Sequence, residues 1–523
     1  MKIMFNKQLI KRGFLSLTAG VALVACTDLE IKETDSVFRQ PDESGFSGVE
    51  NVDASITNVY NAVQGQLADQ ANFFALQEVS TDEMLVPTRG TDWGDNGIWR
   101  TLHQHTWDSG HNFVLAVWNQ MNQNTFLASE IVDDRSNPSA SQKAEAQFLR
   151  AYVMYQVMDL FGQVPFRQPD EGPEINPTVL SRSEAVDFIL ADLDGAIAGL
   201  VSSGPDNANT QTATKEAAQF LKARLLLNKH VYKGAAGPET SDMDAVIALV
   251  NEIENAGYDL QDGYFDIFKE DQDSETIWWL NAGIGNRIWN GMHYNIIAPD
   301  NTGGGWNGFS TLAEFYDLFE GNPNSNYVGD AADERRGWIP DASNADDTNL
   351  GIGYGFLIGQ QYDTNGEKLK DRAENDLVFT KDFPGLVGNN ERTGIRTIKY
   401  HPVNGSFTGH QIIFRYADAY LMRAEAKLWK GDAAGSLADV NVLRALRKTS
   451  ALGSIDAKSM LDERGRELWI EFVRRMDMIR LGEYGREWEF KDPGSVGDKT
   501  KELYPIPSNA LLSNPNLVQN DGY

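Results

Sequence analysis

Apolar residues at three- and four-residue spacing recur along the chain from about Val49 and constrain its fold more than any other feature. This is the period of amphipathic helices, which place every third or fourth side chain on one face. Short loops separate most of the segments, so that consecutive helices are expected to pair as hairpins of the tetratricopeptide kind. The predicted helices are residues 52–67, 113–132, 141–160, 183–200, 214–231 and 243–256.

The helical period mostly fails between residues 257 and 409, where Gly, Asn, Asp and aromatic residues crowd together, and it returns at 412–431, 433–447 and 458–475. Long loops that are not of low complexity are usually functional. We therefore predict a mostly α single domain over residues 48–523. A tetratricopeptide-like helical-hairpin scaffold, at about 49–256 and 410–480, would bracket an irregular, loop-rich ligand-binding lobe at about 257–409.

The amino-terminal 26 residues predict export. Lysines and Arg12 precede a short apolar run, which is typical of a signal peptide over residues 1–25 and too short to span a bilayer. The run ends in Leu-Val-Ala-Cys, which resembles a bacterial lipobox with Cys26 as the lipidated residue. Residues 26–47 are polar and acidic, as in a flexible tether. The alternative is an ordinary cleaved signal in which Cys26 has no role.

Charge and cysteine content exclude several classes of function. Residues 1–25 carry four basic side chains and no acidic one, so that their removal leaves 42 of the 46 Lys and Arg against 75 Asp and Glu, a net charge of −33. Such a surface repels nucleic acid. Cys26 is the only cysteine, and once it is lipidated no thiol remains for a disulfide, a nucleophile or a metal.

Three stretches of the chain stand out as a set. They are AEAQFLRAYVMYQVMDLFGQVPF at 144–166, IIFRYADAYLMRAEAKLWKGD at 412–432 and DERGRELWIEFVRRMDMIRLGE at 462–483, followed by the closing YPIPSNALLSNPNLVQNDGY. Together they resemble the SusD/RagB family of surface lipoproteins. The resemblance implies a lipid-anchored outer-membrane protein that faces the cell exterior. Such a protein captures an oligosaccharide or polysaccharide and delivers it to a SusC-like TonB-dependent transporter. Some branches of the family bind peptides instead.

Sugar recognition needs exposed aromatic faces with amides and carboxylates beside them. Tryptophans set among glycines and polar residues are therefore the first candidates, and starch-binding relatives carry part of their aromatic arc in a loop that residues 88–107 resemble. Trp107 and Trp118 lie in helical patterns and are expected in the core. The ligand-binding candidates are Trp93, Asp95, Asn96, Trp99, Trp289, Tyr294, Trp306 and Asn307.

Acidic and basic residues crowd the second and third family stretches, and their four-residue spacing favours ion pairs between scaffold helices over a catalytic cluster. A glycoside hydrolase is the less favoured alternative. Its chemistry needs a pair of carboxylates, but among 75 acidic residues such a pair can always be named, so that finding one is no evidence for hydrolysis. The pair His103 and His105 lacks a third ligand, and the acids around Asp273 lack the glycine of a calcium loop. The sequence thus predicts neither a metal nor a cofactor.

Overall fold

The computed structural model describes residues 45–296, 304–322, 324, 333–339, 349–403 and 409–523. Within these, Phe46–Tyr523 form one compact unit. The predicted signal peptide, Cys26 and all but the last three residues of the predicted tether lie outside the described residues.

Fifteen α-helices and nine short strands make up the described part of the chain. The helices are α1 Val52–Ala68, α2 Asn72–Glu78, α3 Ile98–Gln104, α4 Asn112–Val132, α5 Ala140–Phe161, α6 Arg182–Gly199, α7 Lys215–Tyr232, α8 Thr240–Asn255, α9 Gly285–Gly291, α10 Ala313–Tyr316, α11 Tyr416–Trp429, α12 Ala433–Leu446, α13 Ala457–Leu468, α14 Arg474–Arg480 and α15 Ser508–Ser513. The strands are β1 Gln163–Phe166, β2 Thr178–Ser181, β3 Thr276–Leu280, β4 Gly337–Trp338, β5 Tyr354–Leu357, β6 Gly359–Gln360, β7 Val378–Phe379, β8 Arg396–Ile398 and β9 Gln411–Arg415.

The helical scaffold is confirmed, because α4 packs on α5, α5 on α6, α6 on α7 and α7 on α8, while α11 closes the array against α8 and α12. Local sequence signals set the ends of these helices. Ser139 and Ser181 each begin a helix with a capping box. Gly162 ends α5 in the left-handed conformation. Trp107 and Trp118 are buried, as predicted.

Two of the predicted helices are wrong in part. Residues 412–415, predicted as helix, form β9, which pairs antiparallel with β3 so that Trp278 and Trp279 both lie buried. The predicted helix 458–475 is broken after Leu468. There the backbone N–H groups of Ile470 and Phe472 donate to the buried carboxylates of Glu83 and Glu78, and both residues have a positive φ. Distant side chains have overridden the local helical pattern at this break.

The irregular lobe has a hydrophobic core of its own. Phe315, Phe356 and Trp469 lie in a second cluster of buried apolar residues, separate from the cluster that fills the helical scaffold. Its strands form the small antiparallel sheets β4-β5-β8 and β6-β7. The lobe is thus a packed body that holds its surface loops in defined positions.

Charged residues of the family stretches form buried ion pairs, which confirms the structural interpretation. Glu467 accepts hydrogen bonds from Arg335, Arg415 and Arg447. Burial alone would raise the pKa of Glu467, but these arginines hold it far below its usual range. The same pattern ties distant elements together in the pairs Arg150–Asp192, Arg224–Asp418, Arg464–Asp477, Arg474–Asp82, Arg475–Asp159 and Arg480–Glu425.

Candidate functional site

The loop before α3 presents the first group of predicted residues. Trp93, Asp95 and Asn96 all have a positive φ, an uncommon backbone conformation for residues other than glycine. The hydroxyl of Thr88 donates to the carbonyl of Trp93 at 3.2 Å and receives a hydrogen bond from Arg100 at 2.6 Å. The hydrogen bonds of Thr88 therefore hold the loop in place, while Asp95 and Asn96 are exposed at its tip.

Trp93 links this loop to the lobe. Its Nε1 donates to the backbone carbonyl of Trp306 at 2.8 Å, across 213 residues of sequence. Its ring leaves so little room that a Cβ added at Gly308 would lie 2.5 Å from it. Trp93 is half-buried, whereas the side chain of Trp306 is 39% exposed. The two predicted tryptophans thus lie side by side, and Trp306 is the one that offers its ring to solvent.

Trp99 occupies the core beneath this loop. It is 4% exposed, its ring centroid lies 5.0 Å from that of Phe113, and its Nε1 donates to Asp95 at 2.9 Å. Asp95 is therefore held by the indole, and Trp99 acts as an anchor for the loop.

Trp289 and Asn307 are also buried. Trp289 is 6% exposed and its carbonyl accepts the N–H of Trp306 at 2.7 Å. The side-chain amide of Asn307 donates to the carbonyl of Glu391 and accepts from Arg396, at 3.0 and 2.8 Å. Both residues therefore support the segment that carries Trp306.

Tyr294 completes the group. Its hydroxyl donates to Asp92 at 2.5 Å, and burial together with that carboxylate raises its pKa well above its usual range. The guanidinium of Arg372 lies 3.8 Å from the centre of the Tyr294 ring and forms ion pairs with Asp92, at 3.3 Å, and with Glu391. Tyr294 is thus held between a carboxylate and a stacked arginine.

A cleft of about 550 Å³ opens beside these residues. Three loops line it, within residues 89–92, 371–375 and 389–392, and we call it the loop cleft. Asp92 belongs both to its wall and to the contacts of Tyr294, so that the aromatic group and the loop cleft are continuous. Its charged lining residues are Arg89, Asp92, Asp371, Arg372, Glu391 and Arg392.

Sequence reasoning missed most of the loop cleft. Arg372, Glu391 and Arg392 come from segments with no periodicity or motif, and they reach Asp92 only through the fold. The composition of the irregular segment indicated that it was functional, but not which of its polar residues would meet the loop at 88–97. No group of three or more His, Cys, Asp or Glu that could hold a metal occurs in the described ranges.

Comparison with known families shows to which family the chain belongs. Residues 274–523 match the model described as the SusD family, and residues 53–212 match that described as starch-binding associating with outer membrane. The chain belongs to the SusD/RagB family. It is 24% identical to the starch-binding protein SusD of Bacteroides thetaiotaomicron, over the whole of both chains. It is 26% identical to SusD-like protein P2 of Formosa agariphila, over 96% of this chain and 98% of that one.

Solved structures share the family fold. A SusD-like protein of Bacteroides fragilis superposes with a TM-score of 0.68 at 21% identity, over 92% of this chain and 98% of that chain. Surface glycan-binding protein A of Bacteroides thetaiotaomicron, solved in complex with laminarihexaose, gives 0.64 at 17% identity, over 90% and 98%. None of the helices in the described part of the SusD/RagB chain is both long and apolar enough to cross a membrane.

Proposed function

We propose that this SusD/RagB protein is a lipid-anchored glycan-binding protein of the outer membrane. In this proposal it captures an oligosaccharide at the cell surface and delivers it to a SusC-like TonB-dependent transporter. The names of relatives support the ligand class, since one is a starch-binding protein and a similar structure holds laminarihexaose. The family resemblance supports the transporter and the anchor at Cys26.

The observation that carries the ligand class is the exposure of Trp306, whose backbone carbonyl is hydrogen-bonded to Trp93, the residue after Asp92 of the loop cleft. An indole plane open to solvent provides an apolar face for a sugar ring, and the linked group of Tyr294, Asp92 and Arg372 provides polar groups for its hydroxyls. Trp93, Trp99, Trp289 and Asn307 act in this proposal as support, while Asp95 and Asn96 lie exposed on the adjoining loop.

The expected affinity is modest. A sugar ring that buries on the order of 100 Å² on an indole gains about 2.5 kcal/mol. Loss of rigid-body freedom removes several kcal/mol from the sum over two or three rings. The remainder corresponds to dissociation constants of about millimolar to micromolar. Such affinity suits capture followed by release.

Affinity electrophoresis against a panel of polysaccharides tests the proposal. We expect retardation in at least one gel, and we expect Trp306→Ala to weaken it by about tenfold or more. Trp429→Ala is the matched control, because Trp429 is 38% exposed but lies on α11 in the helical scaffold. Equal retardation of both variants would place the ligand elsewhere. No retardation in any gel would overturn glycan binding and direct the same assay to peptides.

Two further measurements test whether the protein cleaves its glycan and whether it binds a transporter. Purified protein incubated with the retarding glycan should release no new reducing ends, and product formation would favour the hydrolase alternative. The transporter is tested by purification from detergent-solubilised membranes, where a large barrel protein should copurify. Its absence under mild detergent would contradict delivery to such a partner.

A further inference from the structure

Two buried arginines at the loop cleft have no carboxylate partner among the described residues, Arg89 in its lining and Arg396 behind it. Arg89 is 3% exposed and Arg396 is fully buried. None of their hydrogen bonds to described residues is made to a carboxylate. Arg89 donates to Ser310 Oγ and to the carbonyls of Asn390 and Thr393, at 2.9, 3.0 and 2.6 Å. Arg396 donates to Asn307 Oδ1, Ser310 Oγ and the carbonyls of Glu391, Thr393 and Gly394, at 2.6 to 3.0 Å.

These arginines differ from those of the scaffold. Arg335, Arg415 and Arg447 are equally buried, and each contacts two or more carboxylates. Burial without such a partner lowers the pKa of Arg89 to about 9, and burial together with Arg89 lowers the pKa of Arg396. Buried charges in proteins are normally paired because desolvation is costly. The loop cleft is thus backed by uncompensated positive charge.

The charges that line the loop cleft cancel one another. Arg372 pairs with Asp92 and Glu391, and Arg392 lies 3.2 Å from Asp371. Among the six charged lining residues only Arg89 forms no ion pair with a described residue, and its buried Nε makes no hydrogen bond within the described ranges. Burial also lowers the pKa of His293, which borders Glu391, so that this imidazole adds no charge at neutral pH. The lining thus has three arginines and three carboxylates, and the buried Arg396 leaves the site with a net charge of +1 in a chain whose net charge is −29.

We infer that the loop cleft binds the acidic group of a charged oligosaccharide, a uronate carboxylate or a sulfate ester. This inference rests on the proposed function and names its ligand class. Arg372 and Arg392 would contact the anion, because their side chains are 53% and 34% exposed. Nη1 of Arg372 and both terminal nitrogens of Arg392 make no hydrogen bond to described residues. A guanidinium matches the planar oxygens of such groups.

The buried pair contributes by its field. An anion seated against the loops meets Arg89 and Arg396 across protein of low dielectric, where attraction is stronger than in water. The acidic surface elsewhere on the chain acts over longer distances and is screened beyond about 8 Å at physiological salt. The loop cleft therefore attracts anions that the rest of the molecule repels.

The test compares one sugar backbone with and without its charge. Isothermal titration with oligogalacturonate and its fully methyl-esterified form separates charge from shape, and a sulfated galactan with its desulfated form tests the second anion. We expect one acidic form to bind about tenfold or more tightly than its neutral partner, with an affinity that falls as salt rises. Free sodium galacturonate and inorganic sulfate serve as competitors, and competition by millimolar free anion would indicate an anion site without glycan selectivity, which overturns the inference.

Variants locate the effect. Arg392→Gln should lower the preference for the acidic form by about fivefold or more and leave binding of the neutral form within about twofold. Arg372→Gln should weaken binding of both forms, because Arg372 also stacks on Tyr294. Arg135→Gln is the control, since Arg135 is an exposed arginine paired with Asp133 on the scaffold. If the acidic and neutral forms bind equally to the unaltered protein, the inference is wrong while glycan binding stands. If no glycan is retained at all, the proposed function fails first.

Discussion

Single side chains around the loop cleft have separate roles that their residue type does not reveal. Trp306 presents its ring, Trp93 donates a hydrogen bond that joins two loops, and Trp99 fills the core below. The same holds for the arginines. Arg415 neutralises buried carboxylates, whereas Arg89 donates to neutral acceptors alone among the residues that the structure describes. At this scale, the number and charge of the neighbours decide the function of a residue.

Glu467 shows how much the scaffold depends on one carboxylate. Replacement by Gln leaves Arg335, Arg415 and Arg447 with less negative charge at the centre of their cluster. We expect Glu467→Gln to lower the free energy of unfolding by about 3 to 5 kcal/mol, because it leaves buried charge uncompensated. Urea unfolding followed by circular dichroism measures this. The exposed Glu487→Gln should stay within about 0.5 kcal/mol of the parent, and equal midpoints for both variants would contradict the prediction.

At the scale of elements, loops from distant parts of the sequence hold one another. The loop before α3, the segment that carries Trp306 and the loop at 389–394 meet through Trp93, Arg89 and Arg396. The break between α13 and α14 has the same origin, since carboxylates near α2 hold its backbone. These hydrogen bonds between distant segments hold the loops of the site in place.

Gly308 tests the joint between Trp93 and the lobe. A methyl group there would lie 2.5 Å from the indole, so that Gly308→Ala must displace the ring or the loop. We expect about a tenfold loss of glycan affinity and a shift in tryptophan fluorescence, at a cost of about 1 to 3 kcal/mol in stability. Gly453→Ala is the control, because nothing lies within 4 Å of its added Cβ. Unchanged affinity in Gly308→Ala would show that the position of Trp93 does not matter.

The break between α13 and α14 should respond to pH. Burial raises the pKa of Glu78 from 4.5 to about 7, and burial and the neighbouring Glu78 raise that of Glu83. The folded state therefore binds more protons than the unfolded state between about pH 4.5 and 7, and this contribution to stability falls as pH rises through that window. Lys399 and Arg287 lie near and oppose the shift of Glu78.

Glu78→Gln keeps the acceptor for the N–H of Phe472 and removes the titration. We expect the unfolding free energy of the parent to fall, relative to this variant, by on the order of 1 kcal/mol per pH unit between pH 5 and 7. Urea unfolding of both proteins at each pH gives the difference. Parallel pH profiles would show that Glu78 does not titrate in this window.

The whole molecule combines an acidic chain with a predicted anchor and a cleft next to two buried arginines. If Cys26 is lipidated, Cys26→Ser should move the protein from the membrane pellet to the soluble fraction and abolish incorporation of labelled palmitate. Thr27→Ser retains the cysteine and should behave as the parent. Continued membrane association of Cys26→Ser without the label would point to an anchor other than lipid.

Much of the scaffold follows from the sequence. Helices over 52–67, 113–132 and 183–200 match α1, α4 and α6 to within one residue at each end, because each buries one face and because α1 and α6 begin at a capping side chain. The strand at 411–415 and the break after Leu468 do not follow, because partners far along the chain decide them. The aromatic candidates could be named from composition, but their exposure could not.

The sequence by itself determined the helical class, the family and the structural use of the buried ion pairs, since periodicity and charged residues at helical spacing are local properties of the chain. Only the tertiary structure decided which tryptophan faces solvent and which arginines lack a counter-ion. The exposure of a side chain and the charge around it depend on all the residues that surround it, and here these come from loops far apart in sequence. Trp93 and Trp306, for example, are in contact across 213 positions. Burial and electrostatic balance exist only once the chain has folded.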